Sequence, residues 1–155
     1  MKGNEKLIEE LNKRLSEELT AINQYMVHSE MCENWKYNRL QEAIRKRAIV
    51  EMVHAEKLIE RILFLEGRPI VSNLNKVYIG DQVPKMHEND HGAEEMAIRG
   101  YNETIRLAVE VGDNGTKELL EMILKEEEGH IDWIEAQLDQ IKQMGVQNYL
   151  EQQIF

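Results

Sequence analysis

Val50-Glu51-Met52-Val53-His54-Ala55-Glu56, VEMVHAE, places a carboxylate where apolar side chains are expected. The run after it, KLIERILFLEG, is a strongly apolar helix-forming segment ending at Gly67. Through Ile44, Ala48, Glu51, Ala55, Leu58, Ile62 and Leu65 the steps alternate between four and three, which is one face of one helix. A lone buried carboxylate is costly and prefers to hold a proton. For a single Glu the plain explanations are a paired cation, a place at the rim, or a rotated helix. The rest of the chain decides whether they suffice.

The chain has 155 residues, enough for one domain with a real core, and residues 1–155 read as a single domain. Apolar residues make up 42%, and only two residues are Pro. Glu, Lys, Leu, Ile and Met are abundant helix formers, and no long alternating strand pattern occurs. The expected fold class is all-α. No apolar run is long enough to span a membrane, and the charged, amphipathic start MKGNEKLIEELNKRL has no signal-peptide core. The single Cys32 excludes an internal disulfide, a CxxC metal knot and a CxxCH haem attachment, and it points to the cytoplasm. A formal net charge of -10 argues against nucleic acid as a partner and is compatible with attraction of metal cations.

The first helix is expected from about residue 5 to about 35, with the seam Ile8, Leu11, Leu15, Glu18, Ile22, Tyr25, Ser29 and Cys32. Again a Glu sits inside the seam. The second covers about 39 to 66, with Gly67 as a natural residue just past its end. RPIVSNLNKVYIGDQ is long for a helix hairpin and suggests a crossover. Pro84 opens a third helix that runs to about Val111. Gly112 to Gly115 reads as a tight turn, and Thr116 to about Met144 as a fourth helix closed by Gly145. VQNYLEQQIF suits a short fifth. One long crossover between the second and third helices matches ferritin-like bundle topology.

The fourth helix carries the stripe Leu120, Ile123, Glu127, His130, Ile134, Leu138 and Ile141. Glu127 and His130 therefore repeat the Glu-x-x-His of Glu51 and His54. Residues three apart share a helix face, so both side chains can reach one metal. Each member of one pair lies 76 positions from its counterpart in the other, and Glu18 shifted by 76 gives Glu94, on the stripe Glu94, Ala97, Tyr101, Ile105, Ala108. The pattern looks like an internal repeat of two helix pairs. Four Glu and two His then face one interior, and two divalent cations balance four carboxylates. Carboxylate with imidazole suits iron, manganese or zinc. One Glu from each of two helices plus Glu-x-x-His from each of the other two is a known dinuclear carboxylate arrangement.

Along essentially its whole length the chain resembles the bacterioferritin family. The resemblance rests on MKG at the start, LNKRLSEELTAINQY, EMVHAEKLIERILFLEG, EEEGHIDW and MGVQNYL. It implies a homo-oligomeric shell of 24 chains built from two-fold dimers. It also implies ferrous iron oxidised by O2 or peroxide at a di-iron site, two irons per chain, and stored as ferric mineral. Glu18, Glu51, Glu94 and Glu127 would be the carboxylate ligands, with Glu51 and Glu127 bridging, and His54 and His130 would each cap one iron. Met52 lies about 100° around the helix from Glu51, and alone it reads as core or interface packing. The resemblance makes it an axial ligand of a haem b shared between two chains, with a ferredoxin as electron donor for iron release. Tyr25 reads either as a packed phenol or as a redox-active neighbour of the iron, and Trp133 as packing.

Ala43 to Val50, AIRKRAIV, is more basic than the family resemblance leads one to expect. Arg47 sits one turn before Glu51. Lys46 and Val50 would make poor ligands for an inner-surface iron site, so such a site is expected to be absent. Arg45, Lys46 and Arg47 also suit a solvated face or interface salt bridges, and Arg45 could meet haem propionates. Val53 offers those propionates nothing. Other functions fit less well. A small-molecule di-iron oxidase would show a substrate channel and no mineral, a rubrerythrin-type enzyme needs Cys pairs, and a DNA-protecting mini-ferritin needs a basic tail. A scaffold has no use for six core ligands.

Overall fold

The computed structural model describes residues 1–155 and is built of helices alone. They are α1 (Glu5–Asn34), α2 (Asn38–Phe64), α3 (Val83–Glu110), α4 (Asn114–Met144) and α5 (Val146–Glu151). Asn4 caps α1 by accepting from the Leu7 amide, and Pro84 stands in the first turn of α3. The fourth helix begins two residues earlier than the Gly-Asp-Asn-Gly motif suggests. Asp113 caps it by accepting from Thr116 N at 2.9 Å, so Asn114 and Gly115 become its first turn.

α1, α2 and α3 end in the same way. A residue with positive φ (Lys36, Glu66 or Gly112) follows the helix cap. The next amide then reaches back to close the last turn: Tyr37 N to Cys32 O, Gly67 N to Ile62 O and Asp113 N to Ala108 O, each within 2.9 Å. Gly67 is thus not the left-handed residue; Glu66 is. Gly67 is needed for space, because a Cβ there would lie 2.7 Å from Ile8 Cγ2.

α1 packs on α2, α3 on α4, and α1 on α3. Arg14 contacts Thr104 and Gln24 contacts Asp90, so α1 and α3 run antiparallel. α2 turns back tightly from α1 and is therefore parallel to α3, and the chain from 65 to 82 must travel the length of the bundle. Side chains of α1 hold it there. Asn12 bonds Arg68 O and Ile70 N, Thr20 accepts from Asn75 N, Gln24 from Tyr78 N and His28 from Gly80 N.

Two apolar clusters fill the interior. One joins Leu7, Leu11, Leu15, Leu58, Ile62, Ala108, Leu120 and Ile123; the other joins Tyr25, Cys32, Leu40, Ile44, Met86 and Tyr149. Tyr149 docks α5 through Gln137, donating at 2.7 Å, and through His87, 3.1 Å away. On every long helix the charged seam residues fall between these two clusters.

Candidate metal centre

Six side chains from four helices converge there: Glu18 from α1, Glu51 and His54 from α2, Glu94 from α3, and Glu127 and His130 from α4. The donor atoms of Glu18, Glu51, His54 and Glu127 lie within 4.8 Å of one another, and so do those of Glu51, Glu94, Glu127 and His130. Glu51 and Glu127 belong to both groups. His54 Nδ1 lies 3.0 Å from Glu127 and 3.5 Å from both Glu18 and Glu51. His130 Nδ1 lies 3.0 Å from Glu94 and 3.6 Å from Glu51. Both imidazoles aim the same nitrogen at the carboxylates. The far nitrogen of His54 is held 2.6 Å from Glu126, which fixes the ring's orientation.

Burial, then the repulsion of Glu18, pushes the Glu51 carboxyl above its usual range, to about 8. Glu18 and Glu94 move in the same direction, burial again being the main cause. Burial lowers the His54 pKa, but hydrogen bonds to Glu127, Glu18 and Glu51 outweigh it and favour the charged ring. Glu18 Oε2 and Glu94 Oε2 are buried without a hydrogen-bond partner. Orphaned carboxylate oxygens in a core call for a cation. The donor set, hard oxygen with imidazole, suits two divalent metals, one in each overlapping group.

Tyr25 donates to Glu94, and Tyr101 donates to Glu18. The phenols are themselves 76 positions apart. Sequence spacing singles out Tyr25 and passes over Tyr101, although the same offset relates them. Burial and the adjacent carboxylates push both phenol pKa values far up, so both stay protonated. Trp133 stays outside the cluster and packs edge-on to His87. Met52 points away from the acids, on the outer face of α2, and is 47% exposed.

Arg47 departs from a solvated basic face. Its guanidinium turns inward, 3.1 Å from Glu51 Oε1, 3.3 Å from Glu127 Oε2 and 3.9 Å from Glu94 Oε1. Arg45 is exposed, and Lys46 pairs only with Glu42, at 3.4 Å. Two cavities reach the cluster. One lies under the crossover between α1 and α3, lined by Glu17, Lys76 and Tyr78, and touches all four seam carboxylates. The other lies between α2 and α4, lined by Lys46, Arg47, Val50, Glu126 and His130.

The family model described as the ferritin-like domain matches residues 8–144. A bacterioferritin of Brucella melitensis is 41% identical over 149 residues, covering 96% of this chain and 92% of that protein. The chain belongs to the bacterioferritin family. A bacterioferritin of Rhodobacter capsulatus is 40% identical over 149 residues, with the same coverage. A bacterial ferritin of Synechocystis is 37% identical over 155 residues and covers 99% of both chains. These three relatives are matched over 92%, 92% and 99% of their own lengths.

Proposed function

We propose that the protein is an iron-storing ferroxidase. The observation that carries this is the pair of four-residue clusters sharing Glu51 and Glu127. Two ferrous ions are the substrate, one held through Glu18 and His54, the other through Glu94 and His130, with the shared carboxylates between them. Anionic oxygen ligands stabilise Fe(III) over Fe(II). Two adjacent ferrous ions each give one electron. O2 then takes two electrons and two protons to become hydrogen peroxide, or peroxide takes two electrons and two protons to become two waters. The protein's part is to position both ions, and Tyr25 and Tyr101 orient the outer carboxylates by donating to them. Tyr25 also stands edge-on to His130, with ring centroids 6.2 Å apart, where it could give an electron to the oxidant.

The product is stored as ferric mineral in a cytoplasmic shell of 24 chains assembled from two-fold dimers. The residues present also fit a haem b shared between two chains. Met52 offers a thioether on an outer face where Ile49, Val53 and Met26 are exposed too. Such a group supplies reducing electrons from a ferredoxin for iron release. Lys46 and Val50 offer no iron ligand on the α2–α4 side, and on this reading no accessory iron site is expected there. No helix is long and apolar enough to cross a membrane. Zinc preloaded at two ions per chain should abolish fast Fe(II) oxidation. Undiminished oxidation by the zinc-loaded protein would place the chemistry elsewhere.

A further inference from the structure

The two halves of the site are alike in their ligands and unlike in their surroundings. His54 is sealed, with 2% of its side chain exposed, whereas His130 keeps 12% and borders the α2–α4 cavity. Arg47 lines that same cavity and enters the site from it. Its contacts fall on Glu51 and Glu127, which both groups share, and on Glu94 of the His130 group, and it makes no ion pair with Glu18. The repeat gives it no twin, because the position 76 residues on is Ile123, a core residue. The chain thus carries one arginine at a nearly symmetric site, leaning toward its Glu94/His130 side.

We infer that Arg47 is a displaceable counter-cation that guards the Glu94/His130 half of the site, so that the two metal positions fill in order, the Glu18/His54 half first. A divalent ion entering the guarded half must break the guanidinium's contacts with Glu51, Glu127 and Glu94. A cation left nearby would also repel it. The Glu18/His54 half shares Glu51 and Glu127 with it, but Arg47 makes no ion pair with Glu18, so an ion there displaces fewer of the guanidinium's contacts. On displacement the side chain has the α2–α4 cavity to swing into, which would open the route between the site and that cavity only when both positions are full. Arg47 is a positioning residue in this account. The inference rests on the two-metal reading of the site.

The test is an anaerobic Co(II) titration of the assembled protein, followed by visible absorption and calorimetry, for wild type, Arg47→Gln and Arg47→Lys. Wild type should bind one ion tightly and a second more weakly. Arg47→Gln should tighten the second step by about tenfold or more, merging the two, because a desolvated charge contact is removed. Arg47→Lys, which keeps the charge, should retain two steps. Cobalt should also raise the melting temperature of Arg47→Gln by more than that of wild type. Two equal steps in wild type, or a second step unchanged or weakened in Arg47→Gln, would overturn the inference and leave the two-metal site standing. Fewer than two ions per wild-type chain would instead sink the site itself.

Discussion

At the scale of the residue, the proposed centre would exchange stability for metal affinity. Glu17, pushed to about 7 chiefly by burial, and Glu51, at about 8, have folded pKa values above those of the unfolded chain. Such groups favour the fold while protonated, below about pH 4.5, and lose that contribution as pH rises through 7 and 8. Metal-free protein should therefore melt at a lower temperature at pH 8 than at pH 5. Glu18→Gln removes one buried charge while keeping the acceptor for Tyr101. In thermal melts without metal it should lose less stability over that window than wild type. Its metal affinity should fall by more than the roughly 10–100-fold that loss of an outer hydrogen-bond partner costs. A variant that binds two ions normally would remove Glu18 from the ligand set.

The residue scale also marks where the sequence is informative. Glu51 and His54 stand out because a polar pair breaks an apolar stripe, and their repetition at Glu127 and His130 is visible as spacing. Tyr101 is equally visible by offset but not as a hydrogen-bond donor, because which acid it meets depends on the packing of α3 against α1. Arg47 shows the same limit. One turn before Glu51 its sequence position allows either a solvated or an inward side chain, and only the gap between α2 and α4 decides.

At the scale of the element, helix extents follow from the periodicity, and their ends follow from local chemistry that composition underdetermines. Gly67 looks like a left-handed cap, yet Glu66 takes that conformation and Gly67 makes room for Ile8. The crossover's course is set by Asn12, Thr20, Gln24 and His28, polar residues on α1 whose partners are more than 50 positions away. Spacing along α1 gives no hint of those partners. Gly100 is a further close approach. A Cβ there would run into the Arg14 guanidinium, which is pinned by Glu17 at 2.8 Å and by Thr104 at 2.8 Å. Gly100→Ala should cost about 1–3 kcal/mol in chemical denaturation, as overpacking of a filled interior does. A neutral result would mean that Arg14 moves freely.

At the scale of the whole molecule, apolar side chains left on the outside of α1 and α2 are what one chain alone does not account for. Met26, Ile49, Met52 and Val53 are each at least 40% exposed. On the proposed reading this face meets a second chain and a haem. Met52→Leu should then keep assembly and Fe(II) oxidation and lose the haem absorption band. A variant that retains the band would remove Met52 as the axial ligand.

The central claim is storage fed by the six-residue site, and an aerobic Fe(II) titration of metal-free assembled protein, counting iron retained per chain, tests it most directly. Retention should continue far beyond two irons per chain. Saturation at two would contradict storage and leave a di-iron enzyme on a ferritin frame.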